Sequence, residues 1–207
     1  MKIIQAVKSL KWADFVAVML FDPRFFAKQI CESKSFCFKR SFIVPLLVSL
    51  SIILSLSSLN TQTLFFKYKM SSGLIFFTIV FYVCSIIFSL LVDFYFQFKG
   101  FMGMALQTIS LVNFSFFPFV FLVPLVLLFA FPGISFLGHV FFVLGFFAAF
   151  FWFLFLLISY VSESRSVNLT KSLIAVFMPL VVLFVLSIVA YTSFISLVVG
   201  FLETSLF

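Results

Sequence analysis

Residues 93–103 read Asp-Phe-Tyr-Phe-Gln-Phe-Lys-Gly-Phe-Met-Gly, and the chain continues through Gln107 and Asn113 to Phe117-Pro118. This is a polar, glycine-bearing interruption in an otherwise almost uncharged polypeptide. Behind it, no formal charge appears between Lys69 and Asp93. Ahead of it, none appears from Gly100 to Ser162. A helix needs roughly 20 consecutive apolar residues to cross a bilayer, and both flanking runs are long enough. The interruption therefore marks a place where the chain leaves hydrocarbon, and the fold class that follows is all-α, a polytopic membrane helical bundle.

Composition agrees. Hydrophobic residues make up 65% of the 207 and charged residues 9%, where a soluble domain carries about 25% charged residues to face water. Lipid is then the solvent for most of the surface, and the 38 phenylalanines read first as lipid-facing positions. The net charge of +7 does not point to nucleic acid. The basic residues sit mainly before the first long apolar run, as in a cytoplasmic flank facing anionic lipid. Cys31, Cys37 and Cys84 form no disulfide framework or metal-ligand spacing; Cys84 lies in an apolar run and reads as a small packing residue.

Charge-free runs set the crossings at about 42–59, 72–92, 112–131, 136–160 and 172–196, the last kinked at Pro179. Phe131-Pro132-Gly133 reads as the turn between the third and fourth. Residues 1–41 form a separate basic segment and 42–207 the five-helix domain. In the former, Trp12, Phe15, Val16, Met19 and Leu20 recur at helical spacing among Lys8, Lys11 and Asp14, which suggests an interfacial amphipathic helix. Asp22-Pro23 opens a second helix, Asp22 as N-cap and Pro23 at the first turn. There Arg24, Lys28 and Glu32 share one face and Phe25, Phe26 and Ile30 the other. Every Lys and Arg except Lys67 and Lys69 falls on one side of this topology. That places the N-terminus in the cytoplasm and the C-terminus outside.

Few residues are candidates for chemistry. Asp93 is the one acid near a buried run in the first half of the helical region. It reads as an interfacial anchor at a helix end, within reach of water and of Lys99, or as an ion or proton site. His139, the only histidine, has no carboxylate or thiolate partners nearby with which to bind a metal. It could relay protons at its near-neutral pKa, but reads first as an interhelical hydrogen-bond donor or a residue at the membrane surface. Gly138 and Gly145 share a helical face and permit close helix approach. Ser49, Ser51, Ser55 and Ser57 read as packing groups that bond the helix backbone. Paired carboxylates, His-Glu-x-x-His, Gly-x-Ser-x-Gly and phosphate-cradling glycine loops are all absent from the sequence. A non-enzymatic protein without cofactor or metal is expected.

The order of features resembles the Yip1 family of five-pass membrane proteins. Asp22-Pro23-Arg24-Phe25-Phe26 is similar to that family's Pro-Arg-Phe-Phe-type entry. Phe42-Ile43-Val44-Pro45 opens the first crossing. Lys99-Gly100-Phe101-Met102-Gly103 and the helix reaching Phe117-Pro118 resemble its glycine-rich turn and later proline, and the 161–171 loop precedes a last proline-bearing helix. Family members often have adjacent glycines, whereas here Phe101 and Met102 separate Gly100 from Gly103. The resemblance implies a membrane-organising or scaffold role and carries no catalytic residues. Eukaryotic relatives act in vesicle trafficking and contact Rab GTPases through longer N-termini. The short flank here is closer to prokaryotic members, which favours a bacterial or archaeal cytoplasmic membrane.

Two surfaces are expected to work. Lys8, Lys11, Trp12, Arg24 and Lys28 would meet anionic inner-leaflet lipids or a membrane-protein partner. Asp93, Lys99, Gly100 and Gly103 would form a central turn, with 93–111 lying flat or re-entering the bilayer. The alternative from another class is a subunit of an ion or small-molecule transporter or channel, with Asp93, Gln97, Asn113 and His139 near its path.

Overall fold

The structure, a computed structural model, describes residues 12–32, 34–59, 64–129 and 135–206. Lys8, Lys11 and the turn at Pro132 lie outside the described residues. The described chain is helical throughout, without strands. Three short helices come first: α1 (Trp12–Phe21), α2 (Pro23–Glu32) and α3 (Lys34–Ser41). Then follow α4 (Ile43–Leu59), α5 (Leu64–Phe98), α6 (Ala105–Ser115), a 3-10 turn (Phe117–Phe121) and α7 (Leu122–Phe129). The chain ends in two long helices, α8 (Ser135–Arg165) and α9 (Leu169–Leu206).

Five stretches are long and apolar enough to cross a bilayer: Phe38–Ser58, Ser72–Phe98, Ala105–Leu128, Gly138–Arg165 and Leu169–Val189. A multi-pass integral membrane protein follows from their length and composition. The count matches the sequence reading, but the third crossing starts at Ala105 rather than 112. The polar residues Gln107, Thr108, Ser110 and Asn113 are buried against protein, so polarity there does not end the helix. The central connection shrinks from the expected 93–111 to residues 99–104.

That third crossing is broken by prolines, and the break has a partner. Pro124 has no N–H for the carbonyl of Val120, four residues earlier. In hydrocarbon an orphaned carbonyl costs several kcal/mol. Ser51 of α4 reaches across and donates its Oγ to the carbonyls of Phe119 (3.0 Å) and Val120 (3.1 Å). The other serines of α4 bond within the helix: Ser49 to the carbonyl of Pro45 (2.8 Å), Ser55 to Ser51 (2.8 Å) and Ser57 to Leu54 (2.9 Å). A second polar link joins three elements. Ser85 of α5 donates to Asn113 Oδ1 (2.7 Å), and Asn113 Nδ2 donates to Ser41 Oγ of α3 (3.3 Å).

The N-terminal helices are part of the bundle's core. Asp22 caps α2 as expected, its Oδ1 accepting from the Phe25 N–H (3.2 Å). One apolar cluster runs from Phe15, Met19 and Leu20 through Phe26 and Ile30 to Phe114, Leu157 and Tyr160. The rings of Phe15, Phe26, Phe114 and Tyr160 pack with centroids 5.1–5.7 Å apart. Tyr160 donates its hydroxyl to the Met19 carbonyl (2.8 Å). On α2 the buried face is Phe26, Ala27, Gln29 and Ile30, while Phe25 points out beside the exposed Arg24 and Lys28. Docking on α8 turns the buried stripe by about one residue from the expected one. Cys84 is likewise exposed, on the outward side of α5 and not in a packed seam.

Gly145 meets the expectation of close approach. A Cβ built there comes 2.5 Å from Leu125 Cδ2 of α7, so only hydrogen fits without displacement. Gly145→Ile should destabilise the bundle by about 1–3 kcal/mol through overpacking. Thermal unfolding of the detergent-solubilised protein measures this, and an unchanged midpoint would mean that α7 and α8 stand further apart.

Candidate functional site

The turn at 99–104 is built by local chemistry. Gly100 takes φ +85°, a conformation that costs residues bearing a Cβ about 1–2 kcal/mol. The Phe101 N–H donates to the Phe96 carbonyl (3.0 Å) and the Gly100 N–H to Gln97 (2.9 Å). Together these form a Schellman closure of α5. Phe101 then stacks edge-on against Phe96, with centroids 5.6 Å apart, supplying the apolar contact that accompanies the motif. The end of α8 repeats the pattern. Ser166 has φ 51°, the Val167 N–H donates to the Ser162 carbonyl (3.0 Å) and the Ser166 N–H to Glu163 (3.2 Å).

These two turns meet through Asp93 and Arg165. Asp93 is 2% exposed and Arg165 8%. One Arg165 nitrogen donates to Asp93 Oδ1 and the other to the Met102 carbonyl. The first also lies 3.3 Å from Thr108 Oγ1. Asp93 Oδ1 accepts in addition from the Met104 N–H (2.8 Å), and Oδ2 from Gln97 Nε2 (2.7 Å). Met104 immediately precedes α6, so the carboxylate satisfies a free amide at that helix start and lies at its positive dipole end. The guanidinium also sits over the Phe96 ring, 5.2 Å from its centroid, a cation–π geometry. A Cβ at Gly103 would come 2.8 Å from Gln97 Nε2, so a larger residue there would displace the amide that bonds Asp93.

The arrangement is a buried, multiply hydrogen-bonded ion pair that ties the end of α5, the start of α6 and the end of α8 together. A carboxylate and a guanidinium this well paired neutralise each other, and each lone pair or N–H in use has a protein partner. Nearby, Lys28 of α2 pairs with Glu163 of α8 at 3.0 Å, joining the N-terminal helices to the same end.

Two sequence expectations are corrected. Asp93 is enclosed by protein and does not stand in water as an interfacial anchor. Its partner is Arg165, while Lys99 is exposed. Lys99 lies just past the end of α5, six residues beyond Asp93, in the turn that closes the helix. Arg165 was legible only as one more inner positive charge. The signal that points to it is chemical: a lone acid in a span needs a cation, and the guanidinium fork fits a carboxylate in two places where an ammonium does not.

The four residues of the transporter alternative do not gather at one point. Asp93 and Gln97 belong to the ion-pair cluster, and Asn113 to the Ser41–Ser85 link. His139 is exposed near the far end of α8, about 39 Å from Arg165 at 1.5 Å per residue. Of the expected surface contacts, Arg24 and Lys28 are exposed on α2, and Trp12 begins α1. Among the described residues no group of three or more His, Cys, Asp and Glu side chains is placed to hold a metal. No protein-family model matches the chain, and neither a curated protein nor a solved structure is significantly similar to it.

Proposed function

We propose that this is a non-enzymatic, Yip1-like integral membrane protein that works as a membrane-organising scaffold or adaptor, with its N-terminus cytoplasmic and its C-terminus outside, in a bacterial or archaeal cytoplasmic membrane. The observation that supports this reading is where its polar groups point. Arg165 bonds Asp93 and Thr108, Gln97 bonds Asp93, and Asn113 bonds Ser41 and Ser85, so these polar groups are engaged in holding helices. Lys28, Lys99 and Lys171 are exposed beside these turns, and Arg24 and Lys39 are exposed on α2 and α3. Near anionic headgroups each such charge contributes on the order of 1 kcal/mol. A partner or the membrane surface is thus met by a rigid basic face.

The test has two arms. Purified protein in liposomes should leave ion and small-solute gradients intact, and a photo-crosslinker at position 24 should capture a discrete neighbour in native membranes. A flux through the purified protein that disappears in Asp93→Asn would instead establish the transporter alternative. Orientation has its own check. Asn168-Leu169-Thr170 is a glycosylation triplet with Asn168 exposed, at the same end as Lys28. Translated into microsomes, the chain should remain unglycosylated at Asn168; a glycan there would reverse the orientation.

A further inference from the structure

Two clefts share one wall between α5 and α9. The first, about 350 Å³, is lined by Tyr95, Phe96, Lys99, Phe101, Val167 and Lys171. Its two ammonium groups form no ion pair among the described residues, and no acid lines it. The second, also about 350 Å³, is lined by Leu91, Phe94, Tyr95, Phe98, Met178, Pro179 and Val182 and is wholly apolar apart from the tyrosine hydroxyl. Tyr95 lines both, so the two clefts are neighbours along α5 and α9.

Their depths match a bilayer leaflet. Lys99 and Lys171 stand at the ends of the candidate spans Ser72–Phe98 and Leu169–Val189, at headgroup level. From there the apolar groove reaches Leu91 and Val182, about 12 Å and 16 Å further along the helices at 1.5 Å per residue. Half of a hydrocarbon core is about 15 Å. Lys171 lies in the first turn of α9, where the helix dipole disfavours a cation and favours an anion; an anion beside it would relieve that conflict.

We propose that this composite cleft binds one anionic phospholipid, its phosphodiester between Lys99 and Lys171 and an acyl chain against Phe94, Met178 and Val182. Charge selects the headgroup, because two uncompensated ammonium groups match a phosphate and repel a choline. The groove selects an amphiphile over a free ion. The site depends on neither an adaptor nor a transporter role, since its own residues define it.

The full chain in neutral detergent, titrated with phosphatidylglycerol and followed by native mass spectrometry, tests it. One phosphatidylglycerol should be retained at least tenfold more strongly than phosphatidylcholine of the same acyl composition, and millimolar inorganic phosphate should not displace it. Lys99→Gln/Lys171→Gln should lower retention about tenfold, as should Val182→Trp, which fills the groove without touching the lysines. Leu144→Trp, on an exposed position of α8 outside both clefts, should leave retention unchanged. The proposal is overturned if phosphatidylcholine binds equally, if phosphate alone displaces the lipid, if either cleft variant retains it fully, or if Leu144→Trp loses it as fully as the cleft variants do.

Discussion

Arg165→Met is expected to destabilise the folded bundle by about 3–5 kcal/mol, because it leaves the Asp93 carboxylate buried without its counter-charge. Methionine fills much of the arginine stem, so little of this loss is cavity formation. The Met102 carbonyl loses its donor at the same time. For a chain of this length the loss corresponds to a fall in melting temperature on the order of 10 °C. The connection at 99–104 should loosen first, since Asp93 and Arg165 together hold both Met102 and Met104. Scanning calorimetry or fluorescence-detected melting in detergent measures the first effect, and hydrogen exchange at 99–106 the second. Arg165→Lys should rescue only part of the loss, since a single ammonium cannot reach the carboxylate and the carbonyl with the same two-pronged geometry.

Tyr160→Ala is the second large effect. Tyr160 is fully buried, touches Phe26 in the aromatic cluster and bonds the Met19 carbonyl. Truncation removes the ring that joins α1 and α2 to α8. The expected cost is about 3–5 kcal/mol from lost contacts and the cavity left behind. Tyr160→Phe keeps the ring and loses only the hydrogen bond, for about 1 kcal/mol. The readout that distinguishes docking from general instability is limited proteolysis. In Tyr160→Ala, residues 12–32 should become cleavable while α5, α8 and α9 stay protected. Uniform resistance along the chain would show that α1 and α2 are held by other contacts.

The crossings were legible because their signal is additive: long charge-free runs declare a span whatever they pack against. Asp22 as a cap and Gly145 as a contact point were legible for a related reason, each being local or one-sided. What the sequence concealed was pairing between distant elements. Asp93 looked like a surface residue because six positions separate it from Lys99, whereas its counter-charge lies two crossings away at Arg165. The polar stretch from Gln107 to Ser110 looked like part of a flat or re-entrant segment because periodicity does not reveal that it is buried against neighbouring helices. Likewise Phe25 and Phe26 are equally apolar in sequence, and only the docking direction of α2 decides which one is buried.

A double-mutant cycle on Asp93→Leu and Arg165→Met measures directly whether a buried ion pair fastens this end of the bundle. Each single replacement strands one buried charge, while the double replacement strands none and puts apolar groups in their place. Both single variants should unfold at clearly lower temperature, and the double variant should recover most of the loss, with a coupling of at least about 2 kcal/mol. Additive losses, with the double variant the least stable of the three, would contradict it.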